Sequence, residues 1–127
     1  MGISAVAVTP DGKSWWASEP FGSSDPAYGI ASFNGRTFEY FDPIRDAGML
    51  ETNVVDMVAL PDGRLVLASQ TTGLTFWDPV KKTSVSMRAS QGIPDDHILR
   101  LELDTMVKPP ALHVATRGGG AVLRVFP

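Results

Sequence analysis

The stretch Met57-Val58-Ala59-Leu60-Pro61-Asp62-Gly63-Arg64-Leu65-Val66-Leu67-Ala68-Ser69 decides the fold, because it reads as two extended apolar runs joined by one tight turn. Pro presets φ for such a turn, Asp hydrogen-bonds locally and Gly accepts positive φ. The same pattern stands about 51 positions earlier as Val6-Ala7-Val8-Thr9-Pro10-Asp11-Gly12-Lys13-Ser14-Trp15-Trp16-Ala17-Ser18. A third copy runs through Leu101-Glu102-Leu103-Asp104, an enlarged turn at Pro109-Pro110, and Ala111-Leu112-His113-Val114-Ala115-Thr116.

Outward from each hairpin comes a polar link and a strand opened by glycine: Gly29–Phe33, Gly73–Trp77 and Gly120–Arg124. A fourth run follows in the first two copies, Thr37–Phe41 after Asn34-Gly35 and Thr83–Met87 after Asp78-Pro79, which brings the expected strands to eleven. Repeats of about 40 to 50 residues with four consecutive antiparallel strands are the pattern of β-propeller blades. The expected fold is therefore all-β: a partial β-propeller of tandem four-stranded antiparallel blades, two of them full and the third lacking its last strand. The expected units are residues 1-53 with an insertion at 20-28, 54-97, and 98-127.

The segment Asn53–Ser69 followed by Gly73-Leu74 and Asp78-Pro79 resembles the two-component regulator propeller repeat. So does Gly92-Ile93-Pro94-Asp95-Asp96-His97-Ile98, followed by Ala115-Thr116-Arg117-Gly118-Gly119. That resemblance covers almost the whole chain and implies a sensing propeller in a periplasmic or extracellular setting. The first copy is also similar, more weakly, to streptogramin-lyase-type propellers, which implies a second possibility, part of a metal-assisted lyase or hydrolase with His97 as general base and Glu19 as acid or metal ligand.

Composition narrows the classes further. The 127 residues are 43% hydrophobic and 20% charged, an ordinary balance for a chain with a core. The net charge is -3 and the 11 Lys and Arg residues are scattered, so no phosphate-binding footprint exists and no nucleic-acid partner is expected. No apolar run is long enough to span a bilayer, and Met1-Gly2-Ile3-Ser4 lacks the basic start and apolar core of a signal peptide. The absence of cysteine leaves no disulfide framework and no thiolate metal site. No cofactor is expected, since His97 and His113 stand in unlike contexts without ligand spacing. There is no Gly-x-Ser-x-Gly elbow for a nucleophile, and Gly118-Gly119-Gly120 lacks the Lys of a phosphate loop. Catalytic residues are accordingly not assigned.

Comparing the copies within the chain separates frame from variable chemistry. Ala17, Ala68 and Ala115 agree, as do Ser18, Ser69 and Thr116, while the next position changes from Glu19 to Gln70 to Arg117. At the start of the innermost strands Asn53 aligns with His97 and Asp56 with Arg100, and an Asp56–Arg100 ion pair across neighbouring blades is conceivable. The 20-28 insertion is expected either to offer an aromatic wall through Phe21 or Tyr28 on the same end or to fold back over a blade edge. The binding candidates are thus Glu19, Phe21, Tyr28, Asn53, Asp56, Gln70, His97, Arg100 and Arg117, although surface charge by default makes solvated loop ends the plainer reading. The rings of Trp15, Trp16, Phe33, Phe38, Tyr40, Phe76 and Trp77 are expected in the core, because blades bury both faces. A propeller needs four to eight blades to close. The expected partners are therefore the remaining blades of a larger ring or further copies of this chain, together with a small-molecule or carbohydrate-like ligand.

Overall fold

The computed structural model describes residues 3–18 and 29–127, and within them eleven strands form three antiparallel sheets. The first sheet orders β1 (Ile3–Val8), β2 (Ser14–Ser18), β3 (Ile30–Phe33) and β4 (Phe38–Phe41) side by side. The second repeats that order with β5 (Val54–Ala59), β6 (Leu65–Ser69), β7 (Leu74–Asp78) and β8 (Thr83–Met87). The third contains β9 (Ile98–Asp104), β10 (Ala111–Thr116) and β11 (Gly119–Arg124). One short 3-10 turn, Ala89–Gln91, interrupts the link from β8 to β9.

The two Pro-Asp-Gly turns are superposable in their bonding. Gly12 N–H donates to Thr9 C=O at 2.9 Å, and Gly63 N–H donates to Leu60 C=O at 3.0 Å. Each hairpin is then closed by an N–H from its first turn residue, Thr9 to Lys13 C=O and Leu60 to Arg64 C=O. Gly12 and Gly63 take φ of 89° and 94°, a region that L side chains avoid, so glycine at the fourth place fixes the hairpin register.

Successive side chains on a strand point to opposite faces, and the middle sheet buries both. Leu65 and Leu67 of β6 pack toward the first sheet with Met57, Trp77, Trp15, Ala17 and Ile30. Val66 and Ala68 pack toward the third with Leu74, Ile98, Leu101, Leu112 and Val114. All of Leu65–Ser69 is buried as a result. At the first seam Trp15 and Trp77 meet edge to face at 5.5 Å, and Phe41 meets Trp77 at 5.2 Å. Each such ring pair contributes roughly 0.5–1.5 kcal/mol beyond the apolar area it buries.

The innermost strands β1, β5 and β9 lie next to one another, and side-chain bonds tie them. Ser4 donates to Val54 C=O at 2.6 Å, and Asp56 Oδ2 accepts Leu101 N–H at 2.8 Å. Ser4 sits within the irregular register between Ile3 and Ala5, and Asp56 closes the one between Val54 and Asp56. A bulge at each place turns a polar side chain sideways onto the neighbouring sheet.

The outer faces of the end sheets do not follow the expectation of a continuous core. Trp16, Phe38 and Tyr40 are 37%, 54% and 53% exposed, whereas Trp15 and Trp77 are buried. Their ladder partners explain it: Trp16 pairs with Val6, Phe33 with Phe38 and Ala31 with Tyr40, all on the face of the first sheet turned away from the second. No sheet among the described residues covers that face.

Candidate functional site

All three sheets present the start of their first strand and the end of their second at one end of the molecule. There Asn53, just before β5, donates its side-chain N–H to Gln70 Oε1, just after β6, at 2.8 Å. The equivalent residues of the third sheet also meet, through backbone: Arg117 N–H donates to His97 C=O at 3.0 Å. Four of the sequence candidates are thus brought together as two pairs on neighbouring sheets. Glu19, Phe21 and Tyr28 lie outside the described residues.

The hydroxyl that recurs between copies frames these pairs. Ser69 Oγ accepts Thr72 N–H at 2.8 Å and donates to Gly73 C=O at 3.0 Å. Thr116 Oγ1 does the same work in the third sheet, accepting Gly118 N–H at 3.2 Å and donating to Gly119 C=O at 2.6 Å. A hydroxyl at this place satisfies link amides that no strand can reach. The neighbouring Gln70 and Arg117 are consequently held on a fixed turn while their side chains stay exposed.

Glu51 belongs to this end although its sequence context gave no signal. Its Oε1 accepts Thr71 N–H at 2.5 Å and Thr71 Oγ1 at 2.9 Å, stapling the link after β6 to the segment before β5. Neither residue repeats between copies, so internal comparison passes over it. Asp96 plays the matching part in the link before β9. Its carboxylate accepts Arg88 Nη2 at 2.9 Å and Ala89 N–H at 2.7 Å, and its C=O accepts Gly73 N–H at 2.9 Å. The Arg88 hydrogen bond, aided by the Ala89 amide, holds the Asp96 carboxyl below its ordinary range.

The conceivable Asp56–Arg100 ion pair does not form. Asp56 spends Oδ1 on Met57 N–H and Oδ2 on Leu101 N–H, both at 2.8 Å, so backbone rather than guanidinium satisfies it. Arg100 pairs in the ladder with Ala115 and lines, with Glu102, His113, Gly120 and Val122, a shallow hollow of about 420 Å³ on the open face of the third sheet. His97 is engaged through backbone, its N–H donating to Asp95 Oδ1 at 2.9 Å. Among the described residues no three His, Asp or Glu side chains converge as metal ligands, and no helix is long and apolar enough to cross a membrane.

Solved structures with the same arrangement set the fold. It is a run of β-propeller blades. The chain is similar to PorZ, an essential bacterial surface component of the type-IX secretion system of Porphyromonas gingivalis, with a TM-score of 0.67 and 18% identity over 96% of this chain. It is similar to the extracellular domain of the putative hybrid two-component system BT3049 of B. thetaiotaomicron, with a TM-score of 0.68 and 12% identity over 97% of this chain. It is also similar to YCF48 bound to D1 peptide, with a TM-score of 0.66 and 17% identity over 96% of this chain. The match spans 17%, 17% and 36% of those chains, so these blades correspond to a minor part of each. The resemblance to two-component regulator propeller repeats agrees with the second of them. No family model matches the sequence, and no curated protein matches it.

Proposed function

We propose that these blades form part of a noncatalytic ligand- or partner-binding propeller, a sensing module, whose recognition surface is the end carrying Asn53, Gln70, His97 and Arg117. The observation that supports this reading is the contrast between frame and side chain at equivalent places. Ser69 and Thr116 build the same hydroxyl-closed link, and upon it stand an amide pair in one blade and an imidazole with a guanidinium in the next. Variable side chains on rigid links are how such scaffolds acquire binding. The Asn53–Gln70 bond uses one donor and one acceptor, leaving each amide with groups to offer a polar ligand such as a sugar. Units meeting near 53/54 and 97/98 would supply one pair each.

Completion of the ring is part of the proposal. The exposed rings of Trp16, Phe38 and Tyr40 on one open face, and the small residues Ala115 and Gly120 with Val122 on the other, call for further blades or a second copy. Titrating the ¹⁵N-labelled chain with a panel of neutral oligosaccharides tests the recognition end. Amide shifts confined to 51–54, 70–73, 88–97 and 117–118 are expected. Shifts elsewhere, or none across the panel, would remove the assignment. Light scattering tests completion independently, since a monodisperse monomer at high concentration would count against self-association.

A further inference from the structure

The hairpin turns gather at the end of the blades opposite the recognition end, and we propose that this turn end docks on an anionic lipid surface. The two ends are joined only through the strands between them, so this inference does not depend on the recognition surface described above.

The turns lie close together. Residues of the turns 9–13, 60–64 and 78–82 border one cleft between the first and second sheets. On the other side of the turn 60–64, Arg64 Nη2 donates to Phe126 C=O at 2.8 Å, and Pro61 shares a small apolar hollow with Pro110 and Val125 at the third sheet.

One bonding device recurs among them. The N–H groups of Lys13, Arg36 and Arg64 donate to the side chain two residues earlier, to Asp11, Asn34 and Asp62 at 3.1, 2.9 and 3.1 Å. Asp78 and Asp104 accept the N–H groups of Val80 and Met106 in the same way, at 3.0 and 2.8 Å. Asp and Asn fold back on their own backbone readily in turns. The four carboxylates are thereby spent on amides, and the residues they hold in place are cationic or apolar.

Lysines that stand scattered along the chain are collected by this arrangement. All four of them, Lys13, Lys81, Lys82 and Lys108, belong to these turns, with Arg36 and Arg64 beside them. Six cations thus face four aspartates here, in a chain whose net charge is -3. Lys81, Lys82 and Lys108 are exposed and enter no ion pair among the described residues.

Met106 and Val80, 92% and 81% exposed, are the most exposed large hydrophobic residues described. Further blades would not cover them, because blades pack through sheet faces and these two stand on turns. They lie on different turns as separate knuckles, unlike the contiguous apolar patch that a protein partner seals. Each is also within two positions of a lysine, Val80 before Lys81-Lys82 and Met106 before Lys108. A bilayer surface fits that pattern: the apolar tip enters the acyl boundary while the neighbouring ammonium meets lipid phosphate.

The test is sedimentation of the full chain with phosphatidylcholine vesicles and with vesicles that also contain phosphatidylglycerol. Binding to the mixed vesicles should exceed binding to the neutral ones by roughly tenfold or more and fall as salt is raised. The double variant K81A/K82A should weaken it roughly 25-fold, a factor of about five for each cation lost. Lys108→Ala, on another turn, should weaken it by about one such factor and stands in should the first pair disturb its turn. V80S/M106S should weaken it roughly tenfold while leaving the salt dependence unchanged. Equal binding to neutral vesicles, which the open face carrying Trp16 would give, overturns the proposal. So does indifference to the lysine or the apolar substitutions, or no binding at all. Retention on immobilised heparin without retention on vesicles would assign this end to a soluble polyanion and overturn it too.

Discussion

Equivalent positions of the first and second blades meet opposite fates. Leu67 and its ladder partner Met57 are 0% and 2% exposed, while the corresponding pair Trp16 and Val6 are 37% and 49% exposed. Both pairs occupy the face turned away from the following blade, and among the described residues only the second blade of the two has another sheet packed there. The difference teaches that burial in this architecture is a property of blade neighbours and not of the residue: a tryptophan stands in solvent where a leucine is sealed.

The largest expected effect sets these two positions against each other. Leu67→Ala should cost about 2–5 kcal/mol, the transfer term plus the cavity it leaves. Trp16→Ala in the isolated chain should stay within about 0.5 kcal/mol, as surface substitutions do. Urea unfolding at two protein concentrations measures both. A Trp16→Ala cost that rises with concentration would show that another copy covers the open face. A large cost at every concentration would break the comparison, since the face would then be buried within one chain.

A second contrast concerns glycines in the links. Gly73 has φ of 82°, and a Cβ there would run into the Met87 carbonyl, whereas a Cβ on Gly12, φ 89°, meets nothing within 4 Å. Gly12→Ala should therefore show the left-handed backbone penalty alone, about 1–2 kcal/mol. Gly73→Ala should exceed it, because the carbonyl it strikes is backbone and cannot move aside, and because its N–H anchors Asp96 C=O. Equal melting temperatures for the two variants would mean that the link relaxes freely.

Much of this was legible in sequence for a physical reason. Turn chemistry is local, so Pro10-Asp11-Gly12 and Pro61-Asp62-Gly63 announced their hairpins, and alternating apolar runs announced the strands. Ser69 and Thr116 were visible as a frame because the repeat placed them side by side. What the sequence did not reveal depends on contacts between blades. Asp56 and Arg100 align as complementary charges, yet the bulge before Asp56 delivers its carboxylate to the Leu101 amide. Trp16, Phe38 and Tyr40 read as core until the missing neighbour is known. Glu51 acts through Thr71, whose hydroxyl does not recur at the equivalent Gly118, so the staple leaves no periodic trace.

The ties between blades give the next expected effect. Asp56→Ala would strip the Leu101 amide of its acceptor at the seam between the second and third blades, costing about 1–3 kcal/mol for the orphaned group. Ser4→Ala at the first seam removes a donor from the Val54 carbonyl and should cost about 0.5–1.5 kcal/mol, as a neutral bond does. Thermal unfolding orders the two, and a reversed order would assign the stronger tie to the first seam.

The smallest effect is a dependence on pH. Arg88 and the Ala89 amide hold the Asp96 carboxyl below its usual 3.8, so the folded state binds its proton less readily than the unfolded chain does. The stability this contributes is present in full above the unfolded value and is lost as pH falls through the depressed folded one. Exposure and screening keep the contribution small. Asp96→Asn removes the titration while retaining one acceptor oxygen, so its stability should fall less steeply than that of the parent chain below about pH 4, the usual carboxylate range. The amides that report it best are Gly73 and Ala89, which Asp96 joins across the link. Were the two acid profiles parallel, the Arg88 bond would be open in solution, and the link would be held by the Gly73 and Ala89 amides.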